Sequence, residues 1–283
     1  LRYPEVLPVD VYGRKRNHGK RVNFCPNSKV YREFAAKLVR KLAERYKDHP
    51  ALLMWNVANE YGTYCYCDNC AAEFRKWLKE RYGTIEELNK RWNLSFWGHT
   101  VYDWEEITVP SELNDDNKWY QPKALDYLRF MTDSNIACYL NEYKIIKEIT
   151  PDLPVTTNIS GFIKKLDQFK WANYVDVVAW DNYPSPRDDM STVALKHDLM
   201  RGLKNGQSYM LMEQTPSQQN WQPYNTLKRP GVMRLLSYQA LAHGADTVLF
   251  FQLRRSIAGV EKFHGAVIAH VGHENTRVFR ECA

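Results

Sequence analysis

Short apolar runs that predict buried β-strands alternate along this chain with longer stretches of helical periodicity. The first helix is expected to begin after Ser28, which can cap it, and to stop before Pro50. Strands and helices in this alternation are typical of a parallel sheet with helical crossovers, so the sequence predicts an α/β fold. We expect five strands, at residues 52–58, 154–160, 175–181, 209–213 and 246–252. Further helices are expected near 71–82, 85–92, 125–146, 191–204 and 230–243.

The closed form of this architecture is the TIM (β/α)8 barrel, and five strands do not close it. Either three further strands escape recognition in the sequence, or they lie outside residues 1–283. No internal repeat and no change of composition marks a boundary, so we predict one domain. Residues 92–119 are rich in aromatic side chains but too irregular for a core element, and we expect them to form a functional wall.

The charge pattern argues against two classes of partner. The formal net charge of +6 is small for 283 residues, and only residues 13–21 gather basic side chains, which we interpret as a solvated loop. We therefore expect no nucleic-acid partner. No run approaches the roughly 18 apolar residues of a membrane helix, so we expect no membrane partner and predict a soluble, cytoplasmic protein. The chain begins at Leu1 in a proline-broken segment, and we expect the natural N-terminus to lie upstream.

Two glutamates each end a predicted core strand: Glu60 follows the run Trp-Asn-Val-Ala-Asn, and Glu213 follows Tyr-Met-Leu-Met. A carboxylate at such a position is unusual, since an isolated buried charge costs several kcal/mol. The carboxyl ends of barrel strands open onto one face, where the two side chains can meet. Two carboxyl groups about 5–5.5 Å apart are what hydrolysis of a glycoside with retention requires. The alternative is that each glutamate pairs with its own buried arginine.

The neighbours of the glutamates suggest their roles. Asn59 is placed to bind the 2-hydroxyl of a sugar, a contact that strengthens in the transition state, so we assign Glu60 as acid/base and Glu213 as nucleophile. Tyr183 follows the third strand and is predicted to hydrogen-bond the nucleophile. A buried tyrosine satisfied by the backbone is the alternative.

The cysteine spacing predicts a metal site. Cys65, Cys67 and Cys70 lie within six residues, too close for separate packing roles, and Cys25 is the candidate for a fourth ligand. A closed set of four thiolates predicts a structural rather than a catalytic Zn²⁺, because no position is left for water. Disulfides in an oxidising compartment are the alternative.

Several motifs together resemble the β-galactosidases of glycoside hydrolase family 42. They are Phe-Cys-Pro-Asn-Ser at 24–28, Asn-Glu-Tyr-Gly at 59–62 with the cysteines that follow, Met-Glu-Gln-Thr-Pro-Ser at 212–217, Phe-Gln-Leu-Arg-Arg-Ser at 251–256, and Glu-Lys-Phe-His-Gly-Ala at 261–266. The similarity spans nearly the whole chain.

The resemblance implies a retaining β-galactosidase acting on terminal β-galactosides, with the acid/base on the fourth barrel strand and the nucleophile on the seventh. These match Glu60 and Glu213. It also implies three β/α units before Leu1, further domains after the barrel, a homotrimer, and zinc at the four cysteines. On this basis residues 1–283 are a fragment of one catalytic barrel domain. The positions that the resemblance matches to sugar contacts are Arg21, Asn59, Trp221, Glu261 and His264.

Two other functions remain as alternatives. A zinc-stapled carbohydrate-binding scaffold without catalysis would keep the aromatic residues and Arg21 but would not need both glutamates. A nucleic-acid binder using the zinc cluster is the more distant one. If the chain is a fragment, we expect it to be inactive or poorly folded by itself, because an open sheet exposes apolar side chains and strand edges.

Overall fold

The computed structural model describes residues 2–19, 21–161 and 166–283. The chain clusters into two compact units, each assembled from segments that are distant in the sequence. The first unit consists mainly of Leu1–Leu53 and Tyr61–Leu153, and the second mainly of Met54–Glu60, Pro154–Ile163 and Gln168–Ala283. Because neither unit is one continuous stretch, the division does not correspond to two domains in sequence order.

The first unit is helical. The predicted cap is confirmed, since the Ser28 hydroxyl oxygen accepts a hydrogen bond from the backbone N–H of Tyr31 at 3.2 Å. Short 3₁₀ helices lie at Pro4–Val6, Phe96–Gly98, Trp104–Glu106 and Glu112–Asn114. The α-helices are α1 (Lys29–Tyr46), α2 (Asp68–Tyr82), α3 (Ile85–Trp92), α4 (Asp116–Trp119) and α5 (Gln121–Ile149).

The core of the first unit lies between α2, α3 and α5, and includes Phe74, Leu88 and Met131. The segment 92–119 also contributes to it, because Leu94 and Ile107 are buried there. Our expectation that this segment holds no core element is therefore wrong in part. Its backbone is irregular as expected, but short 3₁₀ turns are enough to point single apolar side chains inward.

The apolar stripe of α1 faces solvent within this chain. Its side chains are between 40% and 60% exposed: Phe34, Leu38, Leu42 and Tyr46. The predicted helix is confirmed, but periodicity alone does not say what covers an apolar face.

The second unit contains the parallel sheet. Its strands are β1 (Trp55–Asn56), β2 (Val155–Thr156), β3 (Asn158–Ile159), β4 (Ala179–Asp181), β5 (Tyr209–Glu213) and β6 (Ala245–Val248). Strand β1 pairs with β2, and the others pair in the order β3-β4-β5-β6, all in parallel. The helices of this unit are α6 (Gln168–Ala172), α7 (Met190–Gly202), α8 (Val232–Ala242) and α9 (Arg277–Cys282).

The five predicted strands are all present, and their parallel pairing confirms the predicted α/β class. The second predicted strand is divided at Thr157 into β2 and β3, which belong to different sheets. Strand β5 matches its predicted bounds, whereas the other strands are shorter than predicted because ladder pairing covers only part of each apolar run. Among the helices in the described ranges, none is both long and apolar enough to cross a membrane.

Candidate active site

Three carboxyl groups meet where strands of the second unit end. Glu60 lies four residues beyond β1, Asp181 is the last residue of β4, and Glu213 is the last residue of β5. One carboxylate oxygen from each lies within 4.8 Å of those from the other two. The glutamates, far apart in sequence, therefore share one site. Three strands, β2, β3 and β4, come between theirs along the chain, where the sequence predicted two, because the second predicted strand is divided.

The backbone before the first of these carboxyls is unusual. Ala58 and Glu60 both have positive φ values, of 54° and 52°, in the left-handed region that non-glycine residues rarely adopt. Such a conformation costs on the order of 1 kcal/mol and is found most often at functional sites. It directs the chain out of β1 and places Glu60 beside the ends of β4 and β5.

Asn158, at the start of β3, links the site together. Its side-chain amide donates to Asp181 Oδ2 at 2.7 Å and to Asn59 Oδ1 at 2.9 Å, and its Nδ2 lies 3.5 Å from Glu213 Oε1. Asn59 in turn donates weakly to Glu60 Oε2, at 3.4 Å. One buried amide thus connects all three carboxyl-bearing strand ends.

The sequence reasoning missed both Asn158 and Asp181 as site residues. A signal for Asp181 was present, since it is an acidic residue ending a predicted core strand, the same pattern that identified Glu60 and Glu213. Asn158 showed only as a polar residue inside an apolar run, which is a weaker signal because buried asparagines often serve the backbone.

Asp181 is almost completely buried, with 3% of its surface exposed. Burial first, and then the charge of Glu213, raises the pKa of Asp181 to about 9, while the hydrogen bond from Asn158 opposes the rise. Both causes favour the neutral form of the Asp181 carboxyl group.

Tyr183 follows β4 by two residues, and its hydroxyl donates to Glu213 Oε2 at 2.7 Å. The hydroxyl thus contacts the glutamate. The alternative, in which the backbone alone satisfies this tyrosine, is not supported. Burial and the neighbouring Glu213 raise the pKa of Tyr183 well above its usual range, so it remains a hydrogen-bond donor.

An aromatic group borders the site. The half-exposed indole of Trp221 meets the ring of Tyr183 edge-on, with centroids 4.9 Å apart, and stacks on the ring of His264 at 4.7 Å. His264 is fully buried, and its Nε2 donates to the carbonyl of Phe251 at 3.1 Å. Its backbone N–H donates to the carbonyl of the half-buried Glu261.

Trp221 is therefore placed to offer a flat surface to a sugar, whereas His264 supports that surface from behind. The predictions that His264 and Glu261 bind sugar hydroxyls stay predictions. A direct contact with the His264 ring requires movement of a group that covers it. The exposed Arg21 belongs to the first unit, four residues before Cys25, and its sugar contact likewise stays a prediction.

The four cysteines singled out by spacing converge in the first unit. Cys25, Cys65 and Cys70 are buried and Cys67 is partly buried, with all four sulfurs within 4.8 Å of one another. Cys25 Sγ lies 3.8 Å from Cys67 Sγ and 3.4 Å from Cys70 Sγ. Sulfurs around a tetrahedral Zn²⁺ with Zn–S bonds of about 2.3 Å are about 3.8 Å apart. The thiols therefore fit a metal ion.

The surroundings of the cysteines also suit thiolates. Asn27 Nδ2 donates to Cys70 Sγ at 3.4 Å, and the backbone N–H of Val9 approaches Cys65 Sγ at 3.5 Å. Cys67 is the N-cap of α2, and Cys70 lies in its first turn, where the helix dipole favours negative charge. All six cysteines of the chain have free thiols, so the disulfide alternative is not supported.

Comparison with known proteins gives a consistent picture. Residues 1–283 match the sequence model of the Glyco_hydro_42 family, described as β-galactosidase. The chain is 61% identical to β-galactosidase BgaP of Planococcus sp., covering 100% of this chain and 42% of the relative. It is 49% identical to β-galactosidase LacZ of Lactobacillus acidophilus, covering 100% of this chain and 43% of that protein.

The crystal structure of β-galactosidase from Bacillus circulans sp. alkalophilus superposes with a TM-score of 0.96 at 63% identity, covering 99% of this chain and 42% of the other. The β-galactosidase of Rahnella sp. R3 superposes with a TM-score of 0.95 at 44% identity, again covering 99% and 42%. The chain thus spans less than half the length of the relatives it matches.

Proposed function

The chain belongs to the Glyco_hydro_42 family of glycoside hydrolases, and from that premise we propose that it carries the catalytic pair of a retaining β-galactosidase. The substrate is a terminal, non-reducing β-D-galactoside, the class of compound that the names of the relatives indicate. In this proposal Glu213 is the nucleophile and Glu60 is the acid/base.

One observation supports this proposal above the others, namely that Glu60 and Glu213 each bring a carboxylate oxygen within 4.8 Å of the other. Retaining glycosidases hold their carboxyl groups about 5–5.5 Å apart, whereas inverting enzymes keep about 6.5–9.5 Å to admit a water molecule. A separation below 4.8 Å lies nearer to the retaining range than to the inverting range, which supports direct attack by a carboxylate.

In the first step, Glu213 attacks the anomeric carbon while Glu60 gives its proton to the departing glycosidic oxygen. The hydrogen bond that the Tyr183 hydroxyl donates to Glu213 Oε2 would hold the nucleophile in position for this attack. In the second step, Glu60 removes a proton from water, which attacks the same carbon from the face that the leaving group vacated. Two inversions restore the original configuration.

Sugar recognition would combine a flat apolar surface with directional hydrogen bonds. Trp221 supplies the surface for the C–H face of galactose. Asn59, held by Asn158, would bind the 2-hydroxyl beside Glu60. Arg21, Glu261 and His264 are the remaining proposed sugar contacts.

We further propose that the four cysteines bind a structural Zn²⁺. The ion would bring no open coordination position and would take no part in bond breaking. Cys65 lies five residues after Glu60, and Cys25 four residues after Arg21, so the metal would fix two segments that adjoin proposed active-site residues in the sequence.

The parts of the relatives that have no counterpart here are proposed to complete the barrel and the assembly, which would be a homotrimer. The exposed apolar stripe of α1 and the apolar side chains exposed on α8, which include Leu235 and Tyr238, are surfaces that further β/α units would cover. One barrel domain made of this chain and additional units remains the proposal for the domain organisation.

The test is a set of variants in the full-length protein. Glu213→Gln should lower kcat by roughly 10⁴-fold or more, as removal of a nucleophile does in other covalent enzymes. Binding of a non-hydrolysable thiogalactoside should persist. Glu86→Gln, an exposed change on α3, serves as the matched control and should leave kcat unchanged.

The stereochemistry of the first product, followed by proton NMR, tests retention directly. Release of β-galactose agrees with double displacement, and initial release of α-galactose would contradict it. Full turnover by Glu213→Gln would instead favour a carbohydrate-binding scaffold with catalysis elsewhere, an alternative for which the convergence of Glu60 and Glu213 gives no support.

A further inference from the structure

The active site holds one carboxyl group more than the proposed reaction uses. Double displacement needs one ionised and one protonated carboxyl, which are Glu213 and Glu60. Asp181 is the third, and one of its oxygens lies within 4.8 Å of an oxygen of each glutamate. It is also the most buried of the three, because both glutamates are only partly covered.

Three negative charges in so small a volume would repel one another strongly, since low-dielectric surroundings screen them poorly. The same repulsion is why paired carboxyl groups in other active sites share a proton. If Glu213 is the ionised member, the least solvated carboxyl must be neutral. The least solvated carboxyl is that of Asp181.

We propose that Asp181 is a positioning residue that keeps its proton throughout the reaction and donates it in a hydrogen bond to the carboxyl group of Glu60. This inference rests on the acid/base role proposed above for Glu60.

The hydrogen-bond pattern places the proton on one oxygen. Asp181 Oδ2 accepts the amide of Asn158 at 2.7 Å, so Oδ2 is the carbonyl-like oxygen. Asp181 Oδ1 is buried and meets no ordinary donor or acceptor among the described residues. A buried hydroxyl of a carboxylic acid needs an acceptor. Glu60 can supply one, since one of its carboxyl oxygens lies within 4.8 Å of an oxygen of Asp181 and its interaction with Asp181 raises the pKa of that group.

The hydrogen bond from Asp181 to Glu60 becomes stronger as the reaction proceeds. In the acid role proposed for it, Glu60 would accept this hydrogen bond through its carbonyl oxygen, leaving its own O–H for the glycosidic oxygen. When Glu60 loses its proton, the same hydrogen bond becomes charge-assisted and therefore stronger. Asp181 would thus stabilise the negative charge that develops on Glu60 in the transition state.

The total charge of the three carboxyl groups is also the same before and after the first step. Before reaction the single negative charge lies on Glu213, and in the glycosyl-enzyme Glu213 is an ester while Glu60 carries the charge. Asp181 remains neutral in both states and loses no proton to substrate or water. Tyr183, whose hydroxyl faces Glu213, likewise remains neutral.

Two substitutions in the full-length protein separate this role from simple packing. Asp181→Asn preserves a carbonyl to accept from Asn158 and an N–H to donate to Glu60, but it cannot ionise. Asp181→Ala removes both. Each is assayed for kcat/KM, which reports the first chemical step, on phenyl β-galactoside and on 2,4-dinitrophenyl β-galactoside. The dinitrophenolate leaves without needing a proton, whereas phenolate needs one.

We expect Asp181→Ala to lower kcat/KM for phenyl β-galactoside by about 10–100-fold, the usual effect of losing a partner that orients a functional group. For the dinitrophenyl substrate we expect a loss of less than about 5-fold, since acid assistance is not needed there. Asp181→Asn should remain within about 5-fold of the native protein on both substrates. Binding of a thiogalactoside by each variant verifies that the site is folded.

Equal losses on the two substrates would overturn the proposal, because a general distortion of the site does not depend on the leaving group. So would an Asp181→Asn variant as impaired as Asp181→Ala, since that would show a need for an ionised Asp181. Glu60→Ala, tested in parallel, addresses the underlying function separately. If its loss does not depend on the leaving group, Glu60 is not the acid, whatever Asp181 does.

Discussion

Acid should destabilise the second unit through one buried imidazole, that of His197. This residue lies on α7 with no exposed surface, and its Nδ1 is 2.8 Å from the hydroxyl oxygen of Tyr209, the first residue of β5. The Tyr209 hydroxyl donates to the carbonyl of Ala240 at 3.1 Å, so the imidazole donates from Nδ1. Nε2 is then a buried lone pair without a partner among the described residues.

Protonation would place an N–H at Nε2 with nothing to accept it. Burial is the main cause that lowers the pKa of His197, to about 4, and the neighbouring His243 lowers it further. Asp198, which is paired with His243, acts in the opposite direction. The ring is therefore neutral in the folded protein at any pH above about 4.

The sign of the stability effect follows from linkage. Between pH 6.5 and 4 the unfolded state binds more protons at this histidine than the folded state, so the free energy of unfolding falls as the pH falls. From these two pKa values, the contribution lost between pH 8 and pH 5 is about 2 kcal/mol. Above pH 6.5 the effect is absent.

The perturbation is His197→Gln, measured by denaturant unfolding of the full-length protein at pH 8 and pH 5. Other groups also titrate in this range, so the informative quantity is the difference between the pH effects on the native and variant proteins. We expect the variant to lose about 2 kcal/mol less than the native protein over this interval. The exposed His18→Gln is the control and should behave as the native protein. An unchanged pH dependence in His197→Gln would refute the reasoning, because it would show that the buried ring does not titrate differently on unfolding.

Two further predictions concern the proposed zinc site and the loop beyond Glu213. Chelation of the metal, or Cys65→Ser, should lower stability first and activity only as a consequence; loss of even about 3 kcal/mol would lower the Tm by roughly 6–12 °C. Cys282→Ser is the control, and an immediate loss of rate with an unchanged melting curve would contradict a structural role. Gly265→Ala should destabilise the protein by about 1–3 kcal/mol and raise KM, since the added Cβ would lie 2.9 Å from the carbonyl oxygen of Gln218 in the loop between Glu213 and Trp221. Gly202→Ala, where a Cβ meets nothing within 4 Å, is the matched control, and equal effects of the two substitutions would contradict the packing account.

Much of the fold is predictable from the sequence because its causes are local. Periodicity locates the strands and helices, and the hydroxyl of Ser28 caps α1 as its position implies. Cys65, Cys67 and Cys70 are close in sequence, so their spacing already indicates a common role. Glu60 and Glu213 are recognisable because a carboxylate at the end of an apolar strand is costly to bury and is seldom placed there without a function.

The features of the site that only the tertiary structure determines depend on contacts between distant segments. Parallel pairing of β4 with β5 brings Asp181 beside Glu213, and a single amide of Asn158 then links all three strand ends. The burial of His264 behind Trp221 and the neutral ring of His197 have the same origin. Sequence patterns report which side of an element is apolar, but the pKa of a carboxyl group or an imidazole depends on neighbours that only strand register and packing bring within hydrogen-bonding distance.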